Sequence, residues 1–281
     1  MFGSIWRFIV NRSRRLAITY LDAYIEKRSF RMYPRMDSPR VIRLTKHTVF
    51  KEAFLKAYEA ETMRMISQNT SIPIPKVIDH WLMSQKDREA IVMEWVPGKT
   101  LESVWPSLND GQKSHIAEQL ERYISELRSL AQPKHLSGRI CSLNGGSFFE
   151  PLLLSQFCGP FNSEHELNDF CLSRLAKFSW EPSTRSQIDA VREKLNTNHR
   201  IMFTHSDLVP RNILVDDQNN IVSILDWEMA GWRPEQWEYL KTMWMGQYDE
   251  GWPAFVHRIL PDYHDQLELH NEMCRMHGSP F

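Results

Sequence analysis

The sequence predicts an α+β fold in two parts: a small β-rich N-terminal lobe with one helix, then a larger, mostly helical lobe that carries a hairpin. Three observations predict it. Residues 41–51 and 90–96 are rich in β-branched and other apolar side chains, and a stretch of helical periodicity lies between them. Pro97-Gly98 breaks that pattern, and the segments after it repeat mainly at helical spacing. Near residues 201–225 three short apolar runs alternate with polar clusters, as the strands and mouth of a hairpin do. The chain is therefore read as a basic N-terminal segment over 1–39, an N-lobe over 40–97 and a C-lobe over 98–281.

Composition bounds the reading. At about 150 residues per domain, 281 residues make two domains or one domain of two lobes, either able to bury a core. Charged residues at 25 % and hydrophobic residues at 42 % are ordinary for a globular chain and argue against disorder. Lys and Arg number 34 against 35 Asp and Glu, so no global basic field recruits nucleic acid. Residues 1–50 hold eleven Lys/Arg against three Asp/Glu. Such a segment suits a solvated basic face; Arg7, Arg12, Arg14 and Arg15 among Ile5, Trp6, Phe8, Ile9 and Val10 also suit a mitochondrial presequence or a membrane-surface helix. No apolar run approaches the ~20 residues that cross a bilayer, so stable membrane insertion is not expected. The expected location is the cytoplasm, with the mitochondrion as the alternative. Cys141, Cys158, Cys171 and Cys274 form no C-x-x-C pair and have no histidine at ligand spacing, which predicts reduced thiols rather than zinc or disulfides.

The elements follow in order. Residues 41–51 predict two short antiparallel strands ending at Lys51. A helix from about Leu55 to Ser67 comes next, with Glu59, Met63 and Ile66 at i, i+4 and i+7 on its apolar face and Glu61 about 200° away. Pro73 and Pro75 end it. Residues 90–96 predict a strand. Ile116, Leu120, Tyr123, Ile124, Leu127 and Leu130 predict a helix between Asp110, as its cap, and Pro133. A loop-rich stretch over 137–160 leads to helices near 164–177 and 185–195. Strands are predicted at 201–204, 212–215 and 221–225, with Asp216–Asn220 connecting the last two. Trp232, Trp237, Trp244 and Trp252 are read as core packing rather than a substrate cage.

Polar residues at the mouths of those strands carry the chemistry. His205-Ser206-Asp207-Leu208-Val209-Pro210-Arg211-Asn212 places an Asp and an Asn five residues apart, and Asp226-Trp227-Glu228 follows the hairpin fourteen residues on. This spacing matches the H-x-D-L-x-x-x-N and D-F-G elements of kinase-type phosphoryl transfer. Such transfer needs hard oxygen ligands for Mg²⁺ and a separate carboxylate on the acceptor hydroxyl, and one hairpin can present all three. Each of the three residues taken alone would be read as a turn residue capping a strand end.

With Glu59-Ala60-Glu61-Thr62-Met63, Thr70 to Val77, Val92 to Gly98, Gly159-Pro160-Phe161 and Pro234 to Tyr239, the motif resembles the aminoglycoside phosphotransferase-like small-molecule kinases, and within them the fungal branch. The resemblance spans about residues 40–245. It implies a bilobal, protein-kinase-like fold and ATP-dependent transfer of the γ-phosphoryl to a small-molecule hydroxyl, with Mg²⁺. It implies Asp207 as the catalytic base, and Asn212 and Asp226 as Mg²⁺ ligands. Lys51 would meet the α- and β-phosphates, and Glu59 would orient it, with Glu61 as fallback. The Glu94 carbonyl and Val96 N–H would bind adenine, and His205 and Arg211 would support the loop. Two departures from the family stand out: Ser206 where glycine is usual, and no G-x-G-x-x-G before Lys51. Glu228 is read as a salt-bridge partner, with a third metal-proximal carboxylate as its alternative. Glu235, Glu238, Asp249 and Glu250 would suit a cationic acceptor or a solvated helix equally. The alternative function is a nucleotide-binding pseudokinase with an interaction or regulatory role. Neither a nucleic acid nor an oligomeric state is implied, and the acceptor is left unassigned.

Overall fold

The computed structural model describes residues 40–54, 58–83, 88–150, 156–178, 182–246 and 250–276. The basic segment 1–39 lies outside them. The chain forms two units, Met1–Leu55 with Lys76–Val96, and Lys56–Pro75 with Pro97–Phe281. Together they give the mixed α and β architecture expected, a small antiparallel sheet unit and a mostly helical one.

The first unit is a four-stranded antiparallel sheet of β1 (Val41–Arg43), β2 (Thr48–Phe54), β3 (Val77–Leu82) and β4 (Arg88–Glu94), in the order β1-β2-β4-β3. The Leu44 and Thr45 amides both donate to Thr48 O, which closes the β1–β2 turn. The strands read as ending at Lys51 do not end there: β2 runs on to Phe54, because it pairs with β4 from Thr48↔Glu94 to Phe54↔Arg88. Lys51 is consequently buried in mid-strand, opposite Val41 and Ile91. Strand alternation puts it on one face with Val49 and Ala53, and register adds the hydrogen-bonded pair His80 and Glu89 to that face. At the end of β4, Glu94 N donates to Lys76 O at 2.9 Å and Trp95 N to His47 O at 2.8 Å. Glu94 and Val96 thus lie where the chain leaves the sheet, just before Pro97.

The second unit opens with α1 (Glu59–Asn69). Its buried face holds Glu59, Ala60, Thr62, Met63 and Ile66, while Glu61 is exposed, as the periodicity predicts. The helix starts at Glu59; the predicted start at Leu55 falls outside the described residues. The N-lobe read as one stretch over 40–97 is corrected here, since residues 56–75 belong to this second unit. Long-range hydrogen bonds give the reason: Ile224 N to Pro73 O at 2.8 Å, and Ser71 Oγ to Glu126 Oε1 at 2.6 Å.

After β5 (Lys99–Thr100) and the single turn α2 (Leu101–Val104) comes α3 (Asp110–Ser129). Its predicted stripe from Ile116 to Leu127 is buried. The cap is Asn109, not Asp110: Asn109 Oδ1 accepts from Gln112 N and Gln112 Oε1 from Asn109 N, both at 2.9 Å, a reciprocal capping box. The stretch read as loop-rich contains a short strand pair, β6 (Phe148–Glu150) with β7 (Gln156–Cys158). Helices α4 (Glu164–Phe178) and α5 (Pro182–Lys194) follow. They pack with the helix His264–Met276 around Leu172, Leu175, Val191 and Cys274.

Four short strands then build the frame of the site: β8 (Ile201–Thr204), β9 (Ile213–Val215), β10 (Ile221–Ile224) and β11 (Gly231–Pro234). The β9–β10 hairpin turns on Asp216, whose Oδ1 accepts from Gln218 N and Asn220 N. β8 pairs with β11 from Thr204↔Gly231 to Ile201↔Pro234, so the segments after Thr204 and before Gly231 emerge side by side. Gly231 permits this pairing, since a Cβ there would stand 2.6 Å from Cys141 O. Three helices complete the unit, α6 (Trp237–Met245), α7 (Trp252–Ile259) and α8 (His264–Met276). Trp232, Trp237 and Trp252 are buried in it, in keeping with a packing role. The four cysteines are buried and unbridged.

Candidate active site

The loop after β8 is fixed by its backbone. Glu238, near the start of α6, accepts from His205 N through Oε2 at 2.6 Å and from Ser206 N through Oε1 at 3.0 Å. Ser206 stands at φ 66, the left-handed region that favours glycine. Its hydroxyl bonds Thr204 Oγ1 at 2.8 Å, and its amide is one of the two held by Glu238, so side chain and backbone both hold the strained turn. His205 Nδ1 accepts from Asp207 N at 3.2 Å, which requires Nε2 to carry the proton it gives to Leu225 O at 2.9 Å. The imidazole is thus a neutral strut between the loop and the end of the hairpin.

Asp207 is the product of this scaffold. Its side chain is 6 % exposed; Oδ1 accepts from Arg211 Nη2 at 2.8 Å and Oδ2 from Asn212 Nδ2 at 2.8 Å. Burial pushes its pKa up to about 6, against the opposing charge of Arg211 and with Asp226 adding to the rise. Asn212 Nδ2 also reaches Asp207 O at 2.9 Å, so the NH₂ end of the amide faces Asp207 and its oxygen lies at the opposite end. Leu225 N donates to Asn212 O at 2.8 Å, tying the two segments together just before Asp226.

Asp226 adopts φ 64 and ψ 64, and this bend opens the 3-10 turn Trp227–Met229. Glu59, Asp226 and Glu228 each bring a carboxylate oxygen within 4.8 Å of the others. Glu59 is held there by Trp227 N, which donates to its Oε1 at 3.2 Å. Glu59 and Glu228 are buried and Asp226 is half-buried. This grouping fits the metal-proximal alternative read for Glu228, and it places Glu59 beside the Asp226 turn. Hard oxygen donors at that separation match the chemistry of a divalent cation such as Mg²⁺. Among the described residues, this is the group of acidic and related side chains that could hold one.

Of the acidic set after Gly231, the structure engages Glu235 and Glu238, while Glu250 is exposed. Glu238 is buried against the loop backbone, and burial pushes its pKa up to about 7 in spite of the two amide hydrogen bonds. Glu235 pairs with Arg200 at 2.8 Å and Arg128 at 3.8 Å. Asp249 lies outside the described residues. Neither Glu235 nor Glu238 is therefore available as a solvated charge for an acceptor. The sequence reading names Glu238 only for an acceptor or a solvated helix and misses its role under the loop, for which the one signal is a carboxylate between Trp237 and Tyr239 in an apolar helix turn. Lys51, Glu94 and Val96 lie in the first unit, on β2 and at the end of β4.

Comparison with known proteins follows the same lines. The GDP and kanamycin complex of APH(2")-IIia has a TM-score of 0.59 at 16 % identity, covering 89 % of this chain and 86 % of that one. Aminoglycoside phosphotransferase APH(4)-Ia has a TM-score of 0.56 at 16 % identity, covering 92 % and 88 %. In sequence, the clavilactone A biosynthesis cluster protein Y of Ampulloclitocybe clavipes is 25 % identical over 226 residues, 70 % of this chain and 55 % of that protein. The chain thus spans about half the length of that curated relative. The model of the phosphotransferase enzyme family matches residues 21–273, and the chain belongs to that family.

Proposed function

We propose that the protein transfers the γ-phosphoryl group of ATP to a hydroxyl of a small molecule. The observation that carries the reading is the pairing, in one folded unit, of a buried Asp207 with a separate oxygen cluster around Asp226. Transfer of a phosphoryl group calls for one carboxylate on the acceptor and others near the phosphates. Family membership and the nucleotide-bound relatives of similar fold support it.

In this reading Asp226 and the amide oxygen of Asn212 hold Mg²⁺, with Glu228 and Glu59 close enough to share in it. The ion, when bound, supplies charge neutralisation at the phosphates. Asp207 holds the acceptor hydroxyl and receives its proton. Arg211 and Asn212 orient the two oxygens of that carboxylate. Lys51 contacts the α- and β-phosphates, and the Glu94 carbonyl and Val96 N–H receive adenine. His205 and Glu238 act on the backbone of the loop rather than on substrate.

The test needs no knowledge of the acceptor. Calorimetric titration of the full chain with ATP should show binding that strengthens at least about tenfold with Mg²⁺. Asp226→Ala should lose that strengthening, whereas Asp207→Ala should keep MgATP affinity within about threefold and abolish slow ATP turnover. Equal binding with and without Mg²⁺, or turnover retained by Asp207→Ala, contradicts the reading.

A further inference from the structure

Arg211 differs from the other arginine near the site in where its charge is left. It lies in the 3-10 turn Pro210–Asn212, four residues after Asp207, and donates through Nη2 to Asp207 Oδ1. Its side chain is 40 % exposed, while the carboxylate it bonds is 6 % exposed. Arg233, in contrast, is buried outright and gives its N–H groups to Cys141 O and Trp232 O. Among the described residues, Nη2 is the one side-chain atom of Arg211 that makes a hydrogen bond. Most of the five N–H donors of the guanidinium fork are therefore left at the solvent boundary beside Asp207.

The two oxygens of Asp207 are not equivalent. Oδ2 accepts from the buried amide of Asn212 and Oδ1 from Arg211, whose side chain reaches solvent, so the side open to an acceptor hydroxyl is that of Oδ1 and Arg211 in this reading. A hydroxyl bonded there shares the oxygen with Arg211, and two donors on one carboxylate oxygen lie about 3–5 Å apart. Once the hydroxyl oxygen bonds phosphorus, the phosphoryl oxygens come within reach of the guanidinium, whose fork matches phosphate geometry.

We infer that Arg211 is a catalytic residue: its solvent-side N–H groups hold a non-bridging oxygen of the phosphoryl group in transfer, while Nη2 stays on Asp207. The inference rests on the kinase reading above. In the step, the acceptor oxygen forms the new O–P bond, and the bond from the γ-phosphorus to its bridging oxygen breaks with its electron pair leaving on ADP. The hydroxyl proton passes to Asp207 Oδ1. Charge spreads over the equatorial oxygens as this happens, which is where a guanidinium counts most. This differs from the loop-support role read from the sequence.

The experiment compares the full chain with Arg211→Ala and Arg211→Lys. Binding of MgADP is measured by calorimetry with and without aluminium fluoride, which mimics the phosphoryl group in flight. In the wild type, fluoride should tighten MgADP binding by about tenfold or more. Arg211→Ala should bind MgADP within about twofold of wild type and lose the fluoride gain; Arg211→Lys, a point charge without the fork, should recover part of it. Arg211→Gln keeps a donor for Asp207 and serves in the same comparison if the alanine variant does not fold. A fluoride gain undiminished in the variants overturns the assignment, as does an equal loss of MgADP binding. A wild type that binds no MgADP overturns the kinase reading instead, which separates the two failures.

Discussion

Glu238 satisfies two consecutive amides, His205 N and Ser206 N, that no water reaches at a buried turn. Removing the carboxylate strands both donors at about 1–3 kcal/mol each, so Glu238→Ala should destabilise the protein by about 3 kcal/mol. Glu238→Gln keeps one acceptor and should lose about half as much. Equilibrium urea unfolding with an unchanged m-value measures both. Spacing singles out Asp207, Asn212 and Asp226, and the structure brings Asp207 and Asn212 into contact, with Leu225 N on Asn212 O just before Asp226. Glu238 was not legible for a physical reason. A carboxylate near the N-terminus of a helix is ordinarily solvated, and its apolar neighbours Trp237 and Tyr239 mark burial without naming the loop, about thirty residues earlier, that it folds under. The place of Glu228 beside Glu59 and Asp226 likewise depends on where α1 packs.

Element by element, the long helix is the most legible. The twenty residues of α3 show five turns of periodicity, and its buried stripe is the one read from sequence. Among the strands, β8, β9 and β10 show as runs of mainly apolar residues rich in β-branched types although they hold three or four residues each, whereas β3, β6, β7 and β11, with mixed or breaker-containing sequences, do not. β11 even contains Gly231 and Pro234, both strand breakers, and forms because β8 supplies a partner and Gly231 fits against Cys141 O. The cap of α3 was off by one residue, since Asn109 and Asp110 are both good caps and only Gln112, three residues after the true cap, closes the box. Asn109→Ala should therefore cost about 1 kcal/mol, and Asp110→Ala less than about 0.5 kcal/mol. Thermal unfolding of the two variants decides between them; equal shifts would contradict the assignment of the cap.

Across the whole molecule the chain crosses between units three times, and 56–75 joins the second through bonds to residues more than fifty positions away. Sequence order alone cannot show that. The same long-range burial sets how stability follows pH. Burial pushes Asp207 up to about 6 and Glu238 up to about 7, so the folded chain keeps protons that the unfolded chain, with carboxylates near 4, has released. Each makes stability fall as pH rises, by at most about 1.4 kcal/mol per pH unit. His270 is pushed down to about 4 by burial, with the Lys241 charge adding and Glu150 opposing. The unfolded chain protonates it below about pH 6.5 and the folded chain does not, so its contribution rises with pH. Glu126, Asp216 and Glu235 are lowered from ordinary carboxylate values and act below about pH 4.5. Between about pH 4.5 and 6, two falling contributions against one rising leave a net fall of about 1.4 kcal/mol per unit. Glu238→Gln should flatten that slope, and His270→Leu should roughly double it, both read by urea unfolding at three pH values in the window. A slope unchanged in both variants would mean that neither burial governs the titration of its group.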